Sequence, residues 1–312
     1  MYTKNDIHMC REIKGEIHSV FHRVCNILTE NDLFIPIISN QLPNMPRAIS
    51  IELPAGSSMQ SFDLKQGMEV SITDASIRVL NGSFALNLES AKPWDARPFF
   101  QFTKVDRVGF IKNIEAMRQI LVREGNYEGI AAVVFELESE LFHQRKVEVE
   151  RLRNPYTTFI YPRIRNFLQQ IMIENVQEMC QTVKKIVGFG PGLTPSGDDF
   201  LAGLMTAVVY CADYHQADVA GVQKNHEVMM KGSLKQTTRV SAEMLGFAAK
   251  GETSESNRKF LIDLFSTTEN GDLISSIRNV LSVGETSGTD FLAGIYIGCR
   301  LGDVLYRKEV RS

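Results

Sequence analysis

Through the first hundred residues, apolar positions come in short stretches cut by turn-forming residues, without the sustained spacing of a helical face. Residues 48–53 and 68–72 read as strands. Residues 76–80 and 83–88 flank Asn81-Gly82, a pair that tolerates the positive φ angles of a type I′ turn, so they predict a hairpin of definite register. Pro43, Pro46 and Pro54 mark loops or sheet edges. Ile13, Ile17, Val20, Val24 and Leu28 would also fit one side of a helix. However, Glu30-Asn31-Asp32 followed by residues 33–38 fits a strand, a turn and a strand, and that is the preferred reading.

From about residue 105 the period changes. Ile111, Ile114, Met117 and Leu121 mark one helical face that Gly125 ends, and Ile130, Val133, Val134, Leu137 and Leu141 mark the next. A long helix is expected after Pro162, carrying Ile164, Phe167, Leu168, Ile171, Val176, Met179, Val183 and Val187, and stopping at a left-handed Gly188. Further helices are expected near 197–213, 217–231, 239–250, 255–266, 272–282 and 288–304. The predicted fold class is α+β: an N-terminal antiparallel β-rich domain, residues 1–104, followed by a mostly α-helical domain, residues 105–312.

Composition narrows the function classes. The 312 residues are 44% hydrophobic, normal for a folded globular chain. A formal charge of -3 is too balanced for binding nucleic acid or a membrane surface by bulk electrostatics. No apolar run reaches the length of a membrane span, and the charged first twenty residues do not read as a leader. Five scattered cysteines suggest neither a disulfide framework nor a zinc ribbon, so a reducing cytoplasm is the expected location.

Within the helical part, residues 196–203 (SGDDFLAG) recur 91 positions later as residues 287–294 (SGTDFLAG), with seven of eight positions identical. The match predicts two related loop-helix units, residues 188–208 and 284–304, packed about a pseudo-two-fold axis. One reading is purely structural: Ser196 with Asp199, and Ser287 with Asp290, would form short capping boxes, and the small residues would let helices approach closely. A cap needs no more than that. Residues 188–195 (GFGPGLTP) add three glycines, two prolines and a hydroxyl before the first copy's helix, a side-chain-poor loop whose N–H groups can surround a phosphate or carboxylate. It is not a P-loop, because the Lys-Ser/Thr ending is missing, and no strand precedes it as in a dinucleotide fingerprint. Asp198, which capping does not require and which Thr289 replaces in the second copy, is the candidate catalytic residue: it would orient a substrate N–H, act as general base or hold Mg²⁺.

The stretch from Gly188 to Gly203 resembles the signature of the AllH family, associated with the oxamate carbamoyltransferase of anaerobic allantoin breakdown. Softer likenesses lie at residues 17–21, 93–95, 238–242 and 287–290. The resemblance implies a subunit that works with two partner proteins to convert oxalurate and phosphate into oxamate and carbamoyl phosphate, reversibly. Such chemistry must hold phosphate beside a ureido carbonyl, bind a carboxylate and stabilise an oxyanion. The candidate anion-binding residues are Gly190, Gly192, Thr194, Ser196, Gly197 and Asp199 in the first copy, Ser287, Gly288 and Asp290 in the second, and the Thr237-Thr238-Arg239 stretch, chiefly Thr238 and Arg239, as a further anion fork.

Two rival readings stand beside this one. One is a non-catalytic scaffold subunit whose repeat only holds helices together. The other is a stand-alone Mg²⁺-dependent hydrolase built on Asp198, Asp199 and Asp290; otherwise no cofactor is called for. His18 and His22 stand four apart, but Ser19 replaces the glutamate of a helical zinc motif, and on a strand the two side chains share a face without helical chelate geometry. Cys211 and Cys299 occupy corresponding places in the two units and read as buried packing. The mixed-sign run 136–153 reads as a solvated helix face or a partner-docking segment, and Trp94 as a wedge at the end of the β domain.

Overall fold

A period of two in the hydrophobic pattern makes the N-terminal unit a sheet. In a computed structural model that describes residues 12–100, 104–142, 154–266 and 270–307, the chain divides into two units, Met1–Arg97 and Pro98–Ser312. The first holds β1 (Ile13–Val20), β2 (Val24–Thr29), β3 (Phe34–Ser39), β4 (Ile49–Ile51), β5 (Glu69–Ile72), β6 (Ser76–Val79) and β7 (Ala85–Asn87). They form one curled seven-stranded sheet in the order β4-β3-β2-β1-β5-β6-β7. Ile13 and Ile17, Cys25 and Ile27, Ile35 and Ile37, Val70 and Ile72, and Ile77 and Val79 are buried in one core beneath it. Residues 13–38 are strand, as the turn signal at 30–32 favoured, but in three pieces and not two, because the chain also turns between Val20 and Val24; at the foreseen turn Asp32 takes a left-handed φ of 60°, and Thr29 Oγ1 accepts from the Leu33 N–H at 3.0 Å.

Two strand expectations need correcting. The sheet is mixed, because β4 runs parallel to β3 (Ile37 opposite Ile49), which the connection from Asn40 to Ala48 permits. In the hairpin the register is centred on Asn81-Gly82, with Ile77 opposite Leu86, yet only Asn81 has positive φ (62°). A type I′ turn needs both residues there, so the strands stop early, at Val79 and Ala85, and a longer loop joins them.

The second unit contains ten described helices: α1 (Arg107–Glu124), α2 (Val133–Leu141), α3 (Pro155–Met172), α4 (Val176–Thr182), α5 (Ser196–Tyr214), α6 (Val219–Met230), α7 (Arg239–Ala249), α8 (Glu255–Phe265), α9 (Asn270–Leu281) and α10 (Ser287–Tyr306). The helix expected after Pro162 is instead two. It starts earlier, where Asn154 caps α3 by accepting from Thr157 N at 2.8 Å and Pro155 takes the first turn; Pro162 lies inside it. It ends at Met172, the left-handed φ of 55° at Glu174 then breaks the chain direction, and Asn175 caps α4. On α1 the buried face is Phe110, Ile114, Met117, Ile120 and Leu121, whereas Ile111 is exposed. Gly125 ends α1 in an extended conformation. Beyond Phe142, the charged run 136–153 lies outside the described residues.

α5 and α10 form the centre of this unit. They are apolar almost all round, and residues 196–212 of α5 and 288–299 of α10 are buried without a break. The other helices supply a surrounding layer, each burying one stripe against this pair or its neighbours.

Candidate functional site

Helix beginnings separate into two kinds here. Asp106, Asn154, Asn175, Asp218, Thr238 and Ser254 cap α1, α3, α4, α6, α7 and α8, each accepting an N–H of the first turn. α5 and α10 are not capped in this way. The residues at their caps are Pro195 and Thr286, neither makes a side-chain cap bond, and Ser196 and Ser287 are already inside the helices. The capping-box expectation for the two Ser-x-x-Asp sequences is therefore not met, and their side chains are turned to something else.

They turn towards each other. The Ser196 hydroxyl faces the Asp290 carboxyl of α10, and the Ser287 hydroxyl faces the Asp199 carboxyl of α5. Thr194 and Ser287 hydroxyls stand 3.0 Å apart, joining the loop before α5 to the first turn of α10. Glycines permit the approach: a Cβ on Gly203 would lie 2.1 Å from the Phe291 carbonyl oxygen, and one on Gly294 would lie 2.0 Å from that of Phe200. Each glycine thus abuts the residue three before its counterpart in the other helix.

Both carboxyls are held out of water. Asp199 is 4% exposed and Asp290 is fully buried, and one oxygen of each, Oδ2, is buried with no hydrogen-bond partner. Burial pushes the Asp199 carboxyl well above the usual carboxylate range; Ser287 and Thr194 pull it back, and Asp290 and Asp198 push it further up. Burial also lifts Asp290 to about 6, against the pull of Ser196, the Ile130 and Ala131 N–H groups and Thr286. Ile130 N donates to Asp290 Oδ1 at 2.9 Å, and a Cβ on Gly129 would strike this carboxyl, so the chain ahead of α2 is fitted around it.

Asp198 has a different environment. Its Oδ1 accepts from Gly188 N at 2.8 Å and its Oδ2 from the hydroxyls of Thr237 and of Ser241, the latter at 2.6 Å. Burial raises its pKa while these donors lower it. The carboxylate therefore ties the start of the glycine-rich loop to the beginning of α7. Thr238 adds a second tie: it caps α7 and donates to the Leu193 carbonyl. Arg239 is ion-paired with Glu243 at 2.7 Å.

The loop itself runs through three left-handed glycines, Gly188 (φ 75°), Gly190 (φ 118°) and Gly192 (φ 94°). Residues 191–193 are exposed and Thr194 is half-buried. The N–H groups of Gly190, Gly192, Leu193, Thr194 and Ser196 have no acceptor among the described residues. Gly197 and Gly288 differ from expectation, because their N–H groups are spent on the Phe189 and Val283 carbonyls, at 2.8 and 3.0 Å. Both pack tightly: a Cβ would meet the Ile186 and Val280 carbonyl oxygens.

Among the described residues no group of three or more His, Cys, Asp or Glu side chains is placed to hold a metal ion, so Asp198, Asp199 and Asp290 do not make a metal cage. His18 sits at a bulge in β1, its Nδ1 3.1 Å from Ser19 Oγ. Cys211 and Cys299 are buried, with the Cys211 Sγ 3.8 Å from the Cys299 carbonyl oxygen. Thr237, expected with Thr238 and Arg239 to form an anion fork, instead donates to Asp198, as does Ser241 from the 238–242 likeness; sequence reasoning did not connect either to Asp198. It also missed Gly129 and Ile130, whose surroundings carry no pattern of their own.

No helix among the described residues is long and apolar enough to cross a membrane. No solved structure matches the chain. Two family models do: residues 3–93 match the AllH family N-terminal domain, and residues 186–299, which include the loop and the starts of α5 and α10, match oxamate carbamoyltransferase subunit AllH. The two matches cover most of the chain, which belongs to the AllH family.

Proposed function

We propose that this chain is a subunit of a carbamoyl-transfer enzyme that interconverts oxalurate plus phosphate with oxamate plus carbamoyl phosphate in allantoin nitrogen catabolism, and that it supplies an anion site where α5 and α10 begin. The 3.0 Å contact between Thr194 and Ser287 carries this reading, because it brings two uncapped helix N-termini to one point. We read α5 and α10 as two copies of one loop-helix unit. The unpaired N–H groups of Gly190, Gly192 and Thr194, with the Thr194 and Ser287 hydroxyls, would ring a phosphate or carboxylate. Gly197, Asp198 and Thr238 would hold the loop in shape, Gly288 and Arg239 are engaged by Val283 and Glu243, and none of the five would touch the ligand. In the transfer itself, a phosphate oxygen adds to the ureido carbonyl, the C–N bond breaks, and the nitrogen takes a proton and leaves as the amide of oxamate.

Ligand-induced melting of the purified chain tests this directly, using phosphate, carbamoyl phosphate, oxamate and oxalurate, since a ligand of the folded state raises the midpoint by mass action. A shift with one or more of them that Ser287→Ala abolishes supports the site. No shift with any of the four supports the second reading, a scaffold subunit. That reading draws on Asp198, whose oxygens are all taken by structural donors.

A further inference from the structure

The feature left unexplained is that buried carboxyls lie beneath a proposed anion site. Three oxygen-bearing groups meet there: Asp199 faces both Ser287 and Thr194, and these two hydroxyls are 3.0 Å apart with either able to donate to the other. An ionised carboxylate accepts only, so both hydroxyl hydrogens are drawn inward and lone pairs are left facing the ligand. A protonated carboxyl donates, passes a hydrogen bond along the pair, and releases one hydroxyl hydrogen outward. The donated proton sits on the carboxyl oxygen that faces the two hydroxyls; the other, Oδ2, is buried without a partner, so an ionised carboxylate would leave charge there unsatisfied.

We infer that the proton on Asp199 sets the direction of the hydroxyl chain from Asp199 through Ser287 to Thr194, and so decides whether the junction of α5 and α10 offers an anion a donor or a lone pair. This rests on the anion-site reading and makes Asp199 a positioning residue. The charged groups that face Asp199 are Asp290 from α10 and Asp198 from its own helix, both acidic; residues 188–195 carry no charge, and the first basic group of α7, Arg239, is paired with Glu243. Like charges on two sides favour keeping the proton.

Sulfate is a suitable probe, because its own charge does not change over the range needed. Its affinity for the intact chain, measured by calorimetry from pH 5.5 to 9.5, should fall about tenfold or more as a carboxyl seen by infrared spectroscopy loses its proton. Asp199→Asn, whose amide donates at every pH, should bind sulfate with no such fall, while Asp290→Asn should keep it. Flat binding by the unaltered chain alongside a titrating carboxyl overturns the inference, as does a fall that survives in Asp199→Asn or vanishes in Asp290→Asn. A missing protonated carboxyl overturns it as well. Absence of sulfate binding at every pH, with the carboxyl titration intact, overturns the anion site and this inference with it.

Discussion

Gly203 of α5 lies so close to Phe291 of α10 that a Cβ added to it would stand 2.1 Å from the Phe291 carbonyl oxygen. The contact is backbone against backbone at the centre of the helical unit, where a neighbouring side chain cannot swing aside. Gly203→Ala should therefore destabilise the unit by about 1–3 kcal/mol or more, and Gly294→Ala, at 2.0 Å from the Phe200 carbonyl oxygen, by a similar amount. Gly246→Ala is the control. It sits inside α7 with nothing within 4 Å of an added Cβ, and should stabilise by roughly 0.5–1 kcal/mol through helix propensity. Urea midpoints of the three variants check the ordering.

Asp198→Ala should strand the Gly188 N–H and the Thr237 and Ser241 hydroxyls. Each donor left unsatisfied in the interior costs about 1–3 kcal/mol, so the substitution should lower the unfolding midpoint clearly. Asp198→Asn keeps one acceptor oxygen and should lose less. Hydrogen exchange locates the effect: the Gly188 amide should exchange faster in Asp198→Ala, and an unchanged rate there would show that the carboxylate does not hold the loop.

The architecture was largely legible because it rests on periodicity. Strands of period two and apolar helices stand out in a single sequence, and the glycine-rich loop stands out by composition. Less was legible where the chain's choice depends on distant partners. Ser196 and Ser287 look like caps from local spacing, yet the partner of Ser196 lies on α10 and that of Ser287 on α5. Asp198 drew notice as a surplus carboxylate, but its three donors come from two segments about ten and forty residues away. Pro162 reads as a helix start, and only Asn154 with Pro155 shows why α3 begins earlier. Gly129 carries no signal until the Asp290 carboxyl is seen against it.

The Asp290 carboxyl makes stability depend on pH with a definite sign. Burial raises its pKa from 3.8 to about 6 in the folded chain. Its proton is therefore bound more tightly in the folded state, and the contribution is fully present below about pH 4 and is lost as pH rises through about 6. A shift of this size corresponds to about 3 kcal/mol, in order of magnitude. Asp290→Asn removes the titration, so the slope of its unfolding free energy between pH 4 and 7 should be less negative than that of the unaltered chain. Equal slopes in parallel urea titrations would show that Asp290 ionises as freely in the folded chain as in the unfolded one.

Arg118 of α1 and Glu138 of α2 meet through two parallel hydrogen bonds, Nε to Oε1 at 2.6 Å and Nη2 to Oε2 at 2.9 Å, with the Glu138 side chain 1% exposed. The Tyr296 hydroxyl of α10 also faces this carboxylate, and Arg300 donates to Tyr296 at 3.1 Å, so three helices share the cluster. Removing one partner leaves a buried charge without its counterion, which costs about 3–5 kcal/mol. Arg118→Met should therefore destabilise strongly. Replacing both residues, as Arg118→Met with Glu138→Leu, leaves no charge stranded and should recover much of the loss. Chemical denaturation of the two singles and the double gives the coupling; if the double loses as much as the two singles together, the pair is not acting as a unit.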